Sequence, residues 1–384
     1  MMEYQKDDQK ICIVTYPFLD RYLGGPIVLN RYIKLLSMFS RDFMVITGNN
    51  EVDNYNGIQI SVHHFDYNPT RNKLYFIFQN ILAEFKSTLL LIEARSNYKS
   101  AVFLGGEPVL TLFTARLLKK NVILFPQTSV SCGVKNLYKR KNFGFLAYLV
   151  YKFLEKLNIY LANWIIVDSK EISKDLNLKR YSHKVFINNP TFIETNIFKI
   201  NKNFHERKNL IGYIGRLSEE KGILNFLDST PLIFEKLKDV KIVIGGDGPL
   251  KKDVIDFINE NGYHDKIQFT GLISHEKLPE YLNELKLVVI PSYIEGLPTV
   301  ILESMACGTL ILAAPVGGIP GIIEDNLTGF IMENNSPESI CKNVVRSLNY
   351  GEPEKIIERS LKVVENNYSL KIVINRFKGL WVNI

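Results

Sequence analysis

At 384 residues the chain is long for one domain and fits two. Its 46% hydrophobic and 23% charged residues exclude a disordered or fibrous chain, and no apolar run approaches the ~18 residues that span a bilayer. The net charge of +7 is uneven, with 25 Lys and Arg against 15 Asp and Glu in residues 1–190 and 22 against 25 in the remainder. A basic first half points to an anionic surface or substrate, or to lysine-rich composition bias. The first ten residues are polar, so no secretion signal is expected and the chain is placed in the cytoplasm. Cys12, Cys132, Cys307 and Cys341 lie far apart, with no metal-ligand spacing, and read as reduced thiols.

Short apolar runs alternate with helical patterns through the first half. Strands are predicted at 10–15, 43–46, 57–62, 100–104, 122–125, 164–167 and 184–187. Helices are predicted at 27–39 and, strongly apolar, at 74–92. Residues 135–161 are basic and aromatic-rich: a core helix with a lysine-rich outer face, or a helix lying on an anionic membrane surface. Residues 188–208 are polar and break the rhythm. It restarts with strands at 210–215, 241–245, 266–269, 287–290 and 309–312, and 353–384 reads as amphipathic helix. Such alternation implies parallel sheets covered on both faces. The domains are therefore read as 1–190, a linker at 191–208, and 209–366, with 367–384 as a terminal helix. Ligands are expected where loops leave the carboxyl ends of the strands, in a cleft shared by the two halves.

The unusual residues fall in those loops. Pro291 stops the strand at 287–290, Gly296 and Pro298 punctuate a turn, and a helix is predicted over 297–307. Pro suits a first helical turn, where its missing N–H is not needed. The amides of Thr299 and Val300 then form a helix start open to an anion. Glu295 precedes this helix and Glu303 lies within it. After the strand at 210–215, Arg216 and Lys221 make a pair of cations suited to a diphosphate, and Gly222 opens the next helix. Gly245-Gly-Asp-Gly-Pro249 reads as a tight structural turn. Gly271 and Leu272 end the next strand, and Gly317 and Gly318 follow the last. Taken singly, each is as readily a solvated turn or a pair of surface glutamates; their order at successive strand-to-helix junctions carries the weight.

In that order these motifs resemble the retaining GT-B glycosyltransferases of the glycosyltransferases group 1 type (family four), with its E-x7-E, G-R-L-x-x-x-K-G and G-G-x-x-E elements. The resemblance covers roughly 210–332 and is loose over the first half. It implies an α/β GT-B fold of two doubly wound Rossmann-like domains, with 367–384 crossing back to the first. It implies transfer of a sugar from a nucleotide-diphosphate sugar to a glycan or lipid-linked acceptor, with retention and with neither metal nor cofactor. By the same resemblance Glu303 takes the ribose hydroxyls. Arg216, Lys221 and the amides of Thr299 and Val300 hold the diphosphate. Glu295, with Gly296 beside it, faces the donor sugar, and Gly271 and Leu272 lie along the base. Gly24 and Gly25 let the backbone of the first half approach the phosphates.

Two positions depart from the pattern. Gly321 stands where the family commonly has Glu. Where it often has His after a middle strand, this chain has only the neutral Gln127 and Thr128. These departures keep open a catalytically silent sugar-nucleotide-binding partner; a nucleotide-sugar epimerase or phosphorylase on the same scaffold is a separate rival. A dehydrogenase is disfavoured, because G-x-G-x-x-G does not follow the first strand, and no nucleic-acid partner is expected. Glu107 is read as an acceptor contact or, more simply, as a helix cap beside Pro108. His63 and His64 are read as surface residues.

Overall fold

A computed structural model describes residues 10–15, 25–48, 52, 54, 57–65, 73–126, 129, 131, 142–168, 170–188 and 190–381. The chain divides into two units, Met1–Pro190 with Ile374–Ile384, and Thr191–Val373.

The first unit holds β1 (Ile11–Thr15), α1 (Gly25–Leu36), β2 (Asp42–Thr47), β3 (Gln59–His64), α2 (Lys73–Glu93), β4 (Ser100–Leu104), α3 (Val109–Leu117), β5 (Asn121–Phe125), α4 (Asn142–Leu161), β6 (Trp164–Val167), α5 (Lys170–Asp175) and β7 (Val185–Ile187). The strands form one sheet in the order β3-β2-β1-β4-β5-β6-β7, each pair parallel. Side chains alternate between the faces. Cys12, Val14, Met44, Phe103 and Leu124 share a core with Leu91 of α2, Leu112 of α3 and Ile159 of α4. On the other side Phe125 meets Tyr32 of α1 edge-on at 4.8 Å and lies parallel to Phe377 at 6.4 Å.

The second unit continues with β8 (Leu210–Ile214), α6 (Ile223–Lys236), β9 (Lys241–Gly245), α7 (Lys251–Glu260), β10 (Ile267–Gly271), α8 (Leu278–Glu284), β11 (Leu287–Ile290), α9 (Thr299–Ala306), β12 (Leu310–Ala313), β13 (Phe330–Ile331), α10 (Pro337–Leu348) and α11 (Pro353–Asn367). The last helix is α12 (Leu370–Trp381). Its sheet runs β10-β9-β8-β11-β12-β13, again all parallel. Ile211, Ile244 and Leu287 face Phe226 of α6 and Val344 of α10; Val243, Val288 and Ile311 face Leu282 of α8, Met305 of α9 and Val364 of α11. Residues ahead of β8 pack onto this unit. Arg207 is buried there and donates to the carbonyls of Lys202, Leu282, Leu285 and Cys307 and to Thr309 Oγ1.

Both doubly wound α/β halves expected from the sequence are thus present. In each, the strand order reverses beside the first strand of the unit, between β1 and β4 and between β8 and β11. Loops on either side of such a reversal diverge to opposite faces and open a crevice at the carboxyl ends. Two expectations need correction. The helix after β11 starts at Thr299, not near 297, because Pro298 has extended backbone (ψ 119°) and serves as its N-cap. Of the two readings of 135–161, the core helix does not hold for Phe145, Leu149 and Phe153, which are exposed; the buried face of that helix includes Glu155, Asn158 and Ile159.

Candidate active site

The crevice of the second unit lies between the ends of β8 and β11. Gly222 sits there with φ +69°, a left-handed conformation that suits glycine. A Cβ on it would lie 2.1 Å from the carbonyl oxygen of Pro291, so only glycine lets the 216–222 turn close against the end of β11. That approach brings Lys221 Nζ within 2.8 Å of Glu295 Oε1. Glu295, whose side chain is 8% exposed, also accepts from Ser292 Oγ at 2.7 Å. The loop is braced from beneath by Asn335, whose side-chain amide donates to the carbonyls of Pro291 and Ser292.

Tyr213, on β8, pins the turn from inside. Its hydroxyl donates to the carbonyl of Arg216 at 2.9 Å and lies 3.4 Å from that of Lys221. Burial, then the Glu295 and Glu220 carboxylates, holds this phenol well above its usual range, so it remains a donor. Arg216 has Glu220 at 3.5 Å from Nη1, while its Nε is buried with no hydrogen-bond partner among the described residues. An orphaned buried donor is rare and costly, and beside a second cation it is suited to an anion's oxygen. The two cations were read from sequence as a pair held for phosphate. Each in fact has a carboxylate neighbour, Lys221 with Glu295 and Arg216 with Glu220, because the turn and the 291–295 loop converge.

Glu303, on the second turn of α9, is 4% exposed, and His275 Nε2 lies 3.5 Å from its Oε1. His275 comes from the loop after β10 and packs edge-on to Phe198 at 5.1 Å. Sequence reasoning missed His275, Tyr213 and Ser292. A single His in a polar loop carries no spacing signal, and a Tyr in a strand reads as core. The start of α9, with Thr299 and Val300, has no side-chain cap. Gly317 and Gly318 press on the Glu295 loop: a Cβ on Gly317 would lie 2.0 Å from the carbonyl oxygen of Glu295, and Gly318 N donates to Gly296 O at 2.7 Å.

The glycines after β9 are structural, as their spacing implied. A Cβ on Gly246 would lie 1.9 Å from the carbonyl oxygen of Gly215, and one on Gly248 2.5 Å from that of Leu217. Gly271, with φ +67°, ends β10 and accepts from Gly246 N at 2.7 Å; Leu272 beyond it is exposed. Gly321 ends one short turn with open space where a side chain would go. Gly25 begins α1 in the first unit. Gly24, Gln127 and Thr128 lie outside the described residues. In the first unit, Gly105 and Gly106 both have positive φ after β4. Glu107 follows them and accepts from Asn158 Nδ2 at 2.6 Å. Burial, then Glu155, pushes its carboxyl up to about 8.

Each half is thus a parallel, doubly wound α/β unit, and the second carries a basic turn and a buried glutamate at its strand-order reversal. Residues 194–364 match the family model described as Glycosyl transferases group 1. The alpha-D-kanosaminyltransferase of Streptomyces kanamyceticus is 31% identical over 46% of this chain and 46% of its own length. The lipopolysaccharide 1,2-N-acetylglucosaminetransferase of Salmonella typhimurium is 30% identical over 46% of this chain and 49% of its own. The chain thus spans about half the length of these curated relatives. The structure is similar to HepE of Anabaena, solved with UDP and glucose, with a TM-score of 0.74 at 14% identity over 98% of this chain and 100% of that one. It is likewise similar to sucrose-phosphate synthase of Thermosynechococcus elongatus, with a TM-score of 0.73 at 17% identity over 98% of each chain. These likenesses establish the GT-B fold class.

Proposed function

We propose that the protein transfers a sugar from a nucleotide-diphosphate sugar to a glycan or lipid-linked acceptor, without a metal and with retention of anomeric configuration. The observation that carries this reading is the convergence of Lys221, Glu295 and the unpartnered Arg216 Nε at the β8/β11 reversal. Lys221 and Arg216 would take the two phosphates, joined by the amides of Thr299 and Val300. Fixed positive groups act most strongly where charge builds on the leaving group. Glu295, released from Lys221 as the phosphates arrive, would hold hydroxyls of the donor sugar. Glu303 would accept from the ribose, with Gly271 and Leu272 along the base. The bond between the anomeric carbon and the diphosphate oxygen breaks, and the acceptor oxygen bonds to that carbon on the same face. Its proton passes to the departing phosphate.

A thermal-shift screen across UDP-, GDP- and other nucleotide sugars tests the donor, since a ligand that binds the folded state raises Tm by mass action. The stereochemistry of the product, read by proton NMR of its anomeric signal, tests retention. A screen with no shift for any nucleotide sugar would overturn the reading. Epimerised donor with no acceptor present would move it to an epimerase.

A further inference from the structure

Three neighbouring helices of the first unit, α2, α3 and α4, cover one face of its sheet. Their inner faces are ordinary core, but their outer faces are apolar as well. On α2, Phe78, Ile81, Phe85, Leu89 and Ile92 are all exposed, and their spacing of three and four residues makes one stripe along the helix. On α3, Leu110, Phe113 and Leu117 continue it, the last 66% exposed. On α4 come Phe145, Leu149 and Phe153, with Phe153 64% exposed. Single exposed apolar residues need no explanation, but stripes on three adjacent helices do.

The outward charges on these helices are mostly positive. Lys86, Arg116, Lys152 and Lys156 stand on them, none buried. Two of the three carboxylates point inward. Glu84 accepts from Leu110 N and Thr111 Oγ1, and Glu155 from Ser129 Oγ and from Ser131 N and Oγ. Among the described residues only Glu93, at the end of α2, leaves an exposed acid on these helices. No helix among the described residues is long and apolar enough to cross a membrane.

We propose that the outer face of α2, α3 and α4 seats on a phospholipid bilayer containing anionic lipid. Aromatic and aliphatic side chains enter the acyl boundary while Arg116, Lys152 and Lys156 meet the headgroups. A second copy of the chain fits this face less well. A two-fold contact would set the same cations against each other, with Glu93 the one exposed carboxylate among the described residues of these helices to answer them. The inference does not depend on the transferase reading, because it is tested with no sugar nucleotide present.

The experiment is co-sedimentation of the full chain with phosphatidylcholine vesicles and with phosphatidylcholine–phosphatidylglycerol vesicles, at low and raised salt. The protein is expected to sediment with the mixed vesicles about tenfold more tightly than with phosphatidylcholine alone, and less at raised salt. Leu117→Glu/Phe153→Glu and Lys152→Glu/Lys156→Glu alter exposed positions only; each is expected to lose binding about tenfold or more while retaining the wild-type Tm. Equal recovery with both vesicle types, or no loss in either variant, would overturn the proposal. So would a dimer in light scattering that Leu117→Glu/Phe153→Glu converts to monomer, which would assign the face to a second copy.

Discussion

Lys221 Nζ and Glu295 Oε1 lie 2.8 Å apart, joining the turn after β8 to the loop after β11 across the point where the strand order reverses. This cation and this carboxylate hold each other in place. On the proposed reading the pair is set for a ligand that brings phosphates to one and hydroxyls to the other. Lys221→Met removes the cation and leaves the carboxylate without it. The expected loss in kcat/KM for transfer is about 10²–10³-fold. Glu295→Gln keeps the shape and the Ser292 contact, and its loss is expected mainly in kcat. The double variant should fall short of the product of the two losses, since the groups act as a unit. Steady-state kinetics of the four proteins check this; wild-type rates in both single variants would remove Lys221 and Glu295 from the site.

Gly222→Ala should damage the same contact without touching a charged group. The new methyl would meet the Pro291 carbonyl at a backbone angle that disfavours a side chain. The second unit is expected to lose about 2 kcal/mol or more, which lowers its Tm by about 4 °C or more. Gly296→Ala is the control: nothing lies within 4 Å of its added carbon, and its Tm should match wild type. Differential scanning calorimetry of both variants decides the matter.

Much of this site was legible because its parts are local. The run Leu287–Ile290, the stop at Pro291 and the break at Gly296 and Pro298 mark a strand, loop and helix on short-range grounds. What joins the parts was not legible. Lys221 and Glu295 meet only because the sheet places β8 beside β11, and nothing near either residue records that neighbour. His275 reaches Glu303 from a loop three strands away in the sheet. The outer faces of α2 and α4 show a different limit. Periodicity reveals an apolar stripe, but a stripe packed in a core and one turned to solvent have the same spacing.

Glu303→Ala should weaken nucleotide binding, since a hydrogen bond to a charged group contributes about 1.5–3 kcal/mol. That corresponds to about a 10- to 100-fold rise in Kd by isothermal titration. His275→Ala should act through Glu303 and raise Kd less. A nucleotide Kd unmoved by Glu303→Ala would assign the ribose elsewhere.

The first unit should lose stability as pH rises. Burial pushes Glu107 up to about 8, and Glu84 and Asp168 up to about 7. In the unfolded chain such carboxyls ionise near about 4. Between those values the folded form keeps protons that the unfolded chain has released, so the folded state is progressively disfavoured through the window. Urea midpoints measured from pH 5 to 8 should fall, and Glu107→Gln should make the fall shallower. An unchanged slope in that variant would show that Glu107 is ionised in the fold.

Arg207→Met tests the packing ahead of β8. It strips the donors from buried carbonyls of Lys202, Leu282, Leu285 and Cys307 together. The expected cost is about 3 kcal/mol or more, read as a lower urea midpoint. A midpoint equal to wild type would mean that water replaces the guanidinium there.

The close approach of Gly317 to the Glu295 carbonyl has a consequence for how such a site changes over generations. A residue that carries no functional group, on a different strand's loop, fixes how far the glutamate can reach. On the proposed reading, side chains around the crevice can be exchanged to suit another sugar while that spacer stays put. Any larger residue at 317 would push the glutamate loop outward whatever sugar was bound. On the same reading, an altered ligand is better accommodated by changing exposed side chains such as Leu272, along the base, than by changing this spacer.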